Sequence, residues 1–400
     1  MIGFPIPKNM PNTSAAPILI GWNAGGGVVD DATEPNPATV GDYNFPGCTN
    51  GTNTFTGTDL LYAAAKGCNF LCFPFSWQQV QPVITSAIST STAYFTALQT
   101  CVSYALSLGM WVSIRPSPYW SSSGGVYLGY GGKYIGQSGG GPSSAQYANF
   151  WSEMATFFNN PSNLAYKCNT NRLIFDLGNE PNTNTTPGQT NALLQTAYQA
   201  AITAIRATGA ANMIFVEGNG YTACSNWNST SVYGSTANCT TFLALTDPIN
   251  NLVACVHSYF DGSTSYSGTG ADISLAASPT VADNTIGTTH LTLINDQTST
   301  TGILPHSQAN GNYRIFIGEM GVSHAPSVGN ATTCMNNLVA TMGANTRNIL
   351  GAAWWVFGAQ FQGDESGNPY EVYPDSGSYP TWTDNANIAP WQIMLPLKAQ

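Results

Sequence analysis

Charged side chains are scarce in this chain of 400 residues. Asp, Glu, Lys and Arg together make up 8% of it, with 10 basic and 20 acidic residues and a formal net charge of -10. Nucleic acids and acidic membrane surfaces attract positive charge, so this composition argues against both as partners. A surface poor in charge and rich in Ser, Thr, Asn and Gly favours a neutral polymer such as a glycan.

Long apolar runs are also missing. No stretch approaches the roughly 20 uninterrupted apolar residues that a membrane span requires, so none is expected. The first residues, MIGFPIPKNMPNTSAAP, contain no apolar core of a signal peptide. We therefore expect that a leader has been removed or that export uses another route.

Metal-binding spacings are absent as well. No CxxC pair and no His/Cys cluster has the spacing of a zinc site, so no structural metal is expected. The chain has nine cysteines, an odd number that leaves at least one thiol unpaired within the chain. Cys224 and Cys239 bracket a polar loop and form our candidate disulfide.

Asn-x-Ser/Thr acceptors for N-glycosylation recur in loop-like stretches. Together with the cysteines, they favour an oxidising location outside the cytoplasm, in a secreted protein or at a cell wall or surface. The candidate acceptors are Asn12, Asn50, Asn184, Asn228, Asn238 and Asn330.

Short apolar runs alternate with longer stretches that have helical spacing, which predicts parallel strands joined by helices. Eight such units fit a (β/α)8 barrel, whereas an open doubly wound sheet stays possible although no Gly-rich phosphate loop follows any run. The predicted strands are Pro17–Ile20, Phe70–Phe73, Trp111–Ile114, Leu173–Phe175, Met213–Val216, Val253–Val256, Ile315–Ile317 and Ala352–Trp355.

A single α/β domain is predicted, because we find neither an internal repeat nor a second domain boundary. An N-terminal segment covers residues 1–16, the barrel covers 17–362, and a C-terminal extension at 363–400 packs on the barrel. The extension is rich in Pro, Gly, Asp and aromatic residues.

Acidic residues follow three of the predicted strands. Glu180 follows the fourth, Glu217 the fifth and Glu319 the seventh. Barrel enzymes carry their functional residues at the carboxyl ends of strands. Carboxylate pairs beside aromatic faces are what cleavage of a glycosidic bond requires, since one acid protonates the leaving oxygen and the other attacks the anomeric carbon.

Several motifs in order resemble glycoside hydrolase family 5, especially its fungal-type endo-β-1,4-glucanases. The resemblance runs from about residue 21 to 361. The matching motifs are GCNFLCFPFSWQQVQP (67–82), YIGQSGGGPSSAQYANFW (134–151), LIFDLGNEPN (173–182), VEGNGYT (216–222), VHSYFDG (256–262) and FIGEMG (316–321).

The resemblance implies retaining hydrolysis of a β-1,4-glucan, with Glu180 as general acid/base and Glu319 as nucleophile. Asn179 would bind the sugar 2-hydroxyl, His257 and Tyr259 would poise the two carboxyl groups, and Trp355 would stack on the sugar. No cofactor is required, because neither protonation nor displacement needs one.

Two positions depart from the family pattern. Cys72 stands where the family has an arginine that supports the nucleophile, and Ser117 begins the run that the family reads His-Asn-Tyr. Arg115 stands where the family usually has an acid. Our hypothesis is that Arg115 supplies the positive charge lost at Cys72, reaching across from the adjacent strand.

Other strand-end residues have weaker assignments. Trp22, Trp77, Trp120 and Trp227 are candidate substrate platforms or ordinary packing residues, and Glu217 is interpreted as a hydrogen-bonding residue at the rim. A non-catalytic glycan-binding or structural glycoprotein of a wall, coat or filament, on the same barrel, remains the alternative function. An enzyme would be a monomer and a structural protein would self-assemble.

Overall fold

The computed structural model describes residues 18–25, 45, 48, 55–117, 119–120, 126–182, 188–224, 227–228, 236–259, 303–322, 328–359, 370–378 and 380–399. Eight parallel strands form its centre. They are β1 Leu19–Ala24, β2 Phe70–Phe75, β3 Trp111–Pro116, β4 Leu173–Asp176, β5 Met213–Glu217, β6 Leu252–Tyr259, β7 Arg314–Gly321 and β8 Ile349–Phe357.

These strands form a closed barrel in chain order, with β8 paired in parallel to β1. Each predicted apolar run overlaps one barrel strand. The prediction of a (β/α)8 barrel is therefore confirmed, and closure excludes the open sheet. The carboxyl ends of all eight strands meet at one rim of the barrel, where parallel barrels place their sites.

Helices cover the outside of the barrel where the sequence has apolar residues at helical spacing. Side chains from Ser and Thr begin several of them by accepting a backbone N–H, as Ser143 does from Gln146. The helices are α1 Thr58–Lys66, α2 Trp77–Val80, α3 Ala93–Ser107, α4 Ser144–Phe158, α5 Asn191–Ala207, α6 Asn238–Ala244, α7 Ile303–Ala309, α8 Val328–Ala344 and α9 Ile388–Gln392. None of the described helices is both long and apolar enough for a membrane span.

Alternation along the strands divides the apolar side chains into two layers. The outer layer lies between strands and helices. The inner layer is a small plug inside the barrel, in which the ring of Phe316 lies 4.8 Å from those of both Phe70 and Phe215. Above this plug the inward-facing positions are polar, so the plug forms the floor of the site.

Residues 370–378 and 380–399 follow the barrel. They contain a two-stranded antiparallel pair, Ser376–Ser378 with Thr381–Thr383, and helix α9. Trp391 of this segment is fully buried, and its ring centroid lies 4.8 Å from that of Trp22 in β1. The predicted boundaries of the N-terminal segment and of the extension stay predictions, and residues 1–17 lie outside the described ranges.

The predicted disulfide is wrong. Cys224 and Cys239 are both free thiols, because Cys224 is directed towards Ser258 of β6 whereas Cys239 lies beside Thr240 in α6. The eight cysteines whose side chains are described are all free.

One predicted glycosylation site is also wrong. Asn238 is 2% exposed, and its Nδ2, the atom that would carry a glycan, donates to the carbonyl of Asn219. Asn228 lies half-buried in a turn. The side chains of the other candidates, Asn12, Asn50, Asn184 and Asn330, lie outside the described residues.

Candidate active site

Arg115 lies at the centre of the carboxyl-end rim. It comes from β3 and its side chain is 1% exposed. Nη2 donates to Glu319 Oε1 at 2.6 Å and to Asn23 Oδ1 at 2.9 Å, and Nη1 donates to Glu217 Oε1 at 3.1 Å. Hydrogen bonds of these lengths between charged groups are stronger than those between neutral groups. The guanidinium thus links strands β1, β5 and β7.

Glu319 enters the barrel through an irregularity in β7. Strict alternation would place Glu319 on the outer face, since Ile315 and Ile317 face outward. The register with β6 shifts at this point, so that His257 pairs with Glu319 and Gly318 is the extra residue. A Cβ at Gly318 would lie 2.3 Å from Cys255 Sγ, so glycine allows this close approach. A bulge of this kind re-aims a side chain.

Glu180 follows β4 with an unusual backbone. Its φ is 46°, in the left-handed region that costs a non-glycine residue roughly 1–3 kcal/mol. Its backbone N–H donates to Glu217 Oε2 at 2.7 Å, which supports this conformation. The side chain turns towards β6, where Oε1 accepts from His257 Nδ1 at 2.6 Å.

The VEGNGYT loop after β5 holds His257 in place. His257 donates its backbone N–H to the carbonyl of Thr222, and the Thr222 hydroxyl donates to the carbonyl of Cys255. The imidazole is thereby placed between Glu180 on Nδ1 and Glu217, whose Oε1 is 3.3 Å from Nε2. The loop that resembled the family motif therefore orients the histidine.

Glu217 is not at the rim, and our interpretation of it was wrong. Its side chain is fully buried, because β5 ends with this residue facing into the barrel. It contacts Arg115, His257 and the backbone of Glu180. Glu217 is thus the third carboxylate of the site.

The carboxyl groups are in different protonation states. Burial and the negative charge of Glu319 raise the pKa of Glu180 to about 7. Burial alone would raise the pKa of Glu217, but His257, Arg115 and the N–H of Glu180 hold it below its usual value. Burial alone would lower the pKa of His257, but the charges of Glu319, Glu217 and Glu180 raise it well above its usual value. At neutral pH, His257 is a cation and Glu217 an anion.

Supporting residues surround the pair. Tyr259 donates its hydroxyl to Glu319 Oε2 at 2.8 Å. Asn179 stands beside Glu180 with an Oδ1 that has no hydrogen-bond partner among the described residues. Trp355 of β8 is half-buried, and Ser117 is half-buried just after β3.

Cys72 faces into the barrel on β2, next to Asn23 in strand register. Arg115 lies one strand across and two residues nearer the carboxyl rim, since its partner on β2 is Pro74. The hypothesised exchange therefore has the required geometry: the guanidinium contacts Glu319 although it starts from another strand.

Three of the candidate substrate platforms are core residues. Trp22 is fully buried among Tyr62, Phe357 and Trp391, because it faces outward from β1. Trp77 is 2% exposed, and its Nε1 donates to Gln81 Oε1. Trp227 is 1% exposed, and its Nε1 donates to the hydroxyl of Tyr313. The side chain of Trp120 lies outside the described residues.

Sequence reasoning missed one acid. Asp176 ends β4 and is buried inside the barrel, where burial and the charge of Glu217 raise its pKa well above the usual range. Alternation with Ile174, which belongs to the inner plug, could have placed it there.

A cation could be held by part of this site. Among the described residues, ligand atoms of Glu180, His257 and Glu319 lie within 4.8 Å of one another. Those atoms already serve other partners: Arg115 and Tyr259 donate to Glu319, and His257 donates to Glu180. A metal ion would compete with the permanent charge of Arg115 and with the proton on His257.

A closed parallel barrel that holds two carboxyl groups, those of Glu180 and Glu319, close together at the carboxyl ends of its strands has the arrangement that glycoside hydrolases use. The profile described as Cellulase (glycosyl hydrolase family 5) matches residues 37–360, and the chain belongs to that family. The protein is therefore an enzyme, and the non-catalytic alternative is not favoured.

Endoglucanases are among the relatives. Endoglucanase gh5-1 of Neurospora crassa is 28% identical over 341 residues, 84% of this chain and 71% of that protein. Endo-β-1,4-glucanase B of Emericella nidulans is 26% identical over 326 residues, 80% of each. An endo-β-1,4-glucanase structure from Xanthomonas axonopodis pv. citri is similar with a TM-score of 0.71 and 26% identity, covering 94% of this chain and 99% of that one. A cellopentaose complex of XacCel5A has a TM-score of 0.70 and 26% identity, with the same coverage.

The charge of Glu319 accounts for part of the raised pKa of Glu180, which gives a direct prediction. In Glu319→Gln this charge is gone, so the pKa of Glu180 should fall from about 7. The measurement is a pH titration of 13C-labelled glutamate carboxyl groups by NMR, with the Glu180 signal assigned by its loss in Glu180→Gln. The half-buried Glu153 on α4 provides a control, since Glu153→Gln should leave the titration unchanged. An unchanged midpoint in Glu319→Gln would contradict this account.

Proposed function

We propose that this enzyme cleaves β-1,4-glucan chains internally by retaining double displacement, with Glu180 as acid/base and Glu319 as nucleophile. The observation that carries the proposal is the pair itself. One carboxylate oxygen of Glu180 lies within 4.8 Å of one of Glu319. Retaining enzymes have carboxyl groups about 5–5.5 Å apart, whereas inverting enzymes need more room for a water molecule.

The first step needs a proton donor and an anion. Glu180 holds a proton near neutral pH because its pKa is about 7, so it can protonate the glycosidic oxygen. Glu319 accepts hydrogen bonds from Arg115 and Tyr259, which hold its oxygens in place for attack on the anomeric carbon. The products are a free chain end and a glycosyl ester on Glu319.

The second step needs a base at the same position. Once Glu319 is esterified, its negative charge no longer raises the pKa of Glu180. Glu180, which gave its proton to the leaving chain in the first step, stays a carboxylate and takes a proton from water. The water attacks the anomeric carbon from the face that the leaving chain vacated, and the ester bond to Glu319 breaks. The two inversions give retention of configuration.

Substrate contacts extend around this pair. We assign the sugar 2-hydroxyl to Asn179, whose Oδ1 has no hydrogen-bond partner among the described residues, and stacking on the sugar ring to the half-buried Trp355 of β8. Support for a β-1,4-glucan comes from the endo-β-1,4-glucanases among the relatives and from the cellopentaose bound by XacCel5A. We further propose an extracellular monomer, since polymeric glucan does not cross a membrane and one chain supplies the acid/base, the nucleophile and their partners.

Cleavage of soluble glucan tests the proposal. Wild-type protein should release reducing ends from carboxymethyl cellulose and barley β-glucan, and Glu319→Gln should lose this activity by a factor of about 10³ or more. NMR of the first product should show the β-anomer. The control Glu153→Gln should retain wild-type activity.

Each part of the proposal can fail separately. Initial release of the α-anomer would refute retention, and cleavage of mannan without glucan would refute the substrate. Binding of glucan without cleavage by the wild type would refute catalysis.

The position of Arg115 gives a second prediction. Arg115→Asp should reduce kcat on barley β-glucan by about 10² or more, because Glu319 loses its strongest donor. Cys72→Arg combined with Arg115→Asp restores the pattern expected for the family, an arginine at position 72 and an acid at position 115. Its kcat should be at least about tenfold higher than that of the single variant.

Thermal unfolding provides the control for these variants, since both must unfold cooperatively for their kinetics to be compared. A folded double variant that is no more active than Arg115→Asp would show that Arg115 does not replace the expected arginine at position 72.

A further inference from the structure

Glu217 is a buried carboxylate to which the two-glutamate mechanism assigns no role. Both of its oxygens are engaged, and each contacts a different part of the site. Oε1 lies 3.1 Å from Arg115 Nη1 and 3.3 Å from His257 Nε2, and Oε2 accepts the backbone N–H of Glu180 at 2.7 Å. A group needed only to fill space would not have this set of partners.

Glu217 Oε1 reduces the electrostatic repulsion between Arg115 and His257. Arg115 Nη1 and His257 Nε2 are only 3.4 Å apart, and both side chains are buried. Two buried cations at that distance repel strongly unless an anion lies between them. Glu217 Oε1 lies within hydrogen-bonding range of both nitrogens, so it allows the partner of the nucleophile and the partner of the acid to remain charged side by side.

Glu217 Oε2 stabilises the backbone conformation of Glu180. Glu180 has a left-handed backbone, which is unfavourable for a residue with a side chain. The bond from its N–H to Glu217 Oε2 holds this backbone in place, while His257 holds the carboxyl group at the other end of the residue. The carboxylate of Glu217 thus contacts both groups that position Glu180, its backbone N–H and the imidazole of His257.

We propose that Glu217 is a positioning residue for the acid Glu180. It fixes the backbone of Glu180 directly and the carboxyl group through His257, while its Oε1 also accepts a hydrogen bond from Arg115. Glu217 does not touch the substrate and exchanges no proton with it. The inference rests on the proposed function, in which Glu180 protonates the leaving group.

Leaving-group dependence separates positioning of the acid from general damage. A cellulose chain leaves only when its oxygen is protonated, whereas 2,4-dinitrophenolate leaves without protonation. In Glu217→Gln we expect kcat/KM to fall about a hundredfold on cellopentaose and less than tenfold on 2,4-dinitrophenyl β-cellobioside. Glu180→Gln should show the same selectivity with larger factors.

A matched control exists on α4. Glu153 also accepts a backbone N–H through its carboxylate, from Ile88 at 2.6 Å, but it lies outside the site. Glu153→Gln should leave both kcat/KM values unchanged. If Glu217→Gln does not fold, Glu217→Asp is used instead, because it keeps the negative charge on a shorter side chain. The loss of kcat/KM on cellopentaose is then compared with the loss on 2,4-dinitrophenyl β-cellobioside in the same way.

The outcomes distinguish the two proposals. Equal losses on both substrates, or no loss on either, would overturn the role of Glu217 while leaving the proposed function intact. A wild type that cleaves neither substrate would refute the proposed function and, with it, this inference.

A separate observation concerns two thiols far from this site. Cys48 Sγ and Cys101 Sγ are 3.6 Å apart, both residues are buried, and 53 positions separate them in the chain. Cys48 is held by its N–H bond to Phe45 and by a bridge to Phe55, and Cys101 lies within α3. Thiols in contact need only a small movement to reach the bonded distance of about 2.05 Å.

We infer that Cys48 and Cys101 form a disulfide when the protein folds under oxidising conditions. The two thiols give up two protons and two electrons to form one S–S bond, and an external disulfide such as oxidised glutathione takes them up to become two thiols. The bond would close a long loop and join the segment around Cys48 to α3, and closing a long loop limits the unfolded chain most.

Refolding in a mixture of reduced and oxidised glutathione tests this pair. Peptide mapping without reduction should give a linked Cys48–Cys101 peptide, and reduction should lower the thermal midpoint by about 5 °C or more. Cys48→Ser and Cys101→Ser should each abolish the effect of reductant, whereas Cys168→Ser should keep it. Recovery of both residues as alkylated thiols after refolding would overturn the inference.

Discussion

Neutralisation of buried charge governs this site. Arg115, His257, Glu217 and Glu319 are all buried inside the carboxyl end of the barrel, and burial is tolerated there because each has a side chain of opposite charge type within hydrogen-bonding distance. Next to this cluster lies Glu180, whose pKa of about 7 suits it to exchange a proton near neutral pH. The rest of the site, including the bulge at Gly318 and the left-handed backbone of Glu180, serves to bring these groups together.

The fold could be predicted because its signal is repeated. Eight apolar runs separated by helical spacing indicate one architecture, and small errors in strand length do not change it. The strand boundaries were harder to predict from the sequence. Strands β6 and β7 extend past their apolar runs to include His257, Tyr259 and Glu319, because these polar residues continue the hydrogen-bonded pairing of the strands into the site. Apolar pattern alone does not mark a strand that ends in catalytic side chains.

The role of a site residue could be predicted only where the resemblance of its local motif to the family assigns that role. All four acids lie in motifs that match the family, but the resemblance assigns a role only to Glu180 and Glu319, whereas the partners of Glu217 and Asp176 come from other strands. Alternation places Trp22 on the outer face of β1, so its burial was accessible from sequence, but the entry of Glu319 through a bulge was not. The contact between Arg115 and Glu319 joins residues 204 positions apart and depends on which strands are neighbours.

Arg115 also limits how this enzyme could have arisen from an ancestor with the expected family pattern, an arginine at position 72 and an acid at position 115. At least two substitutions separate that pattern from this chain. Losing the older arginine first leaves the nucleophile without a guanidinium and beside an additional acid. If Arg115 is gained first, the intermediate has two guanidinium groups near Glu319 and Glu217. The carboxyl group of Glu319 then has a positively charged partner at every step. Of the two orders, only the second keeps a guanidinium beside the nucleophile at every step, so we expect it to retain more activity and to link the two substitutions in time as well as in space.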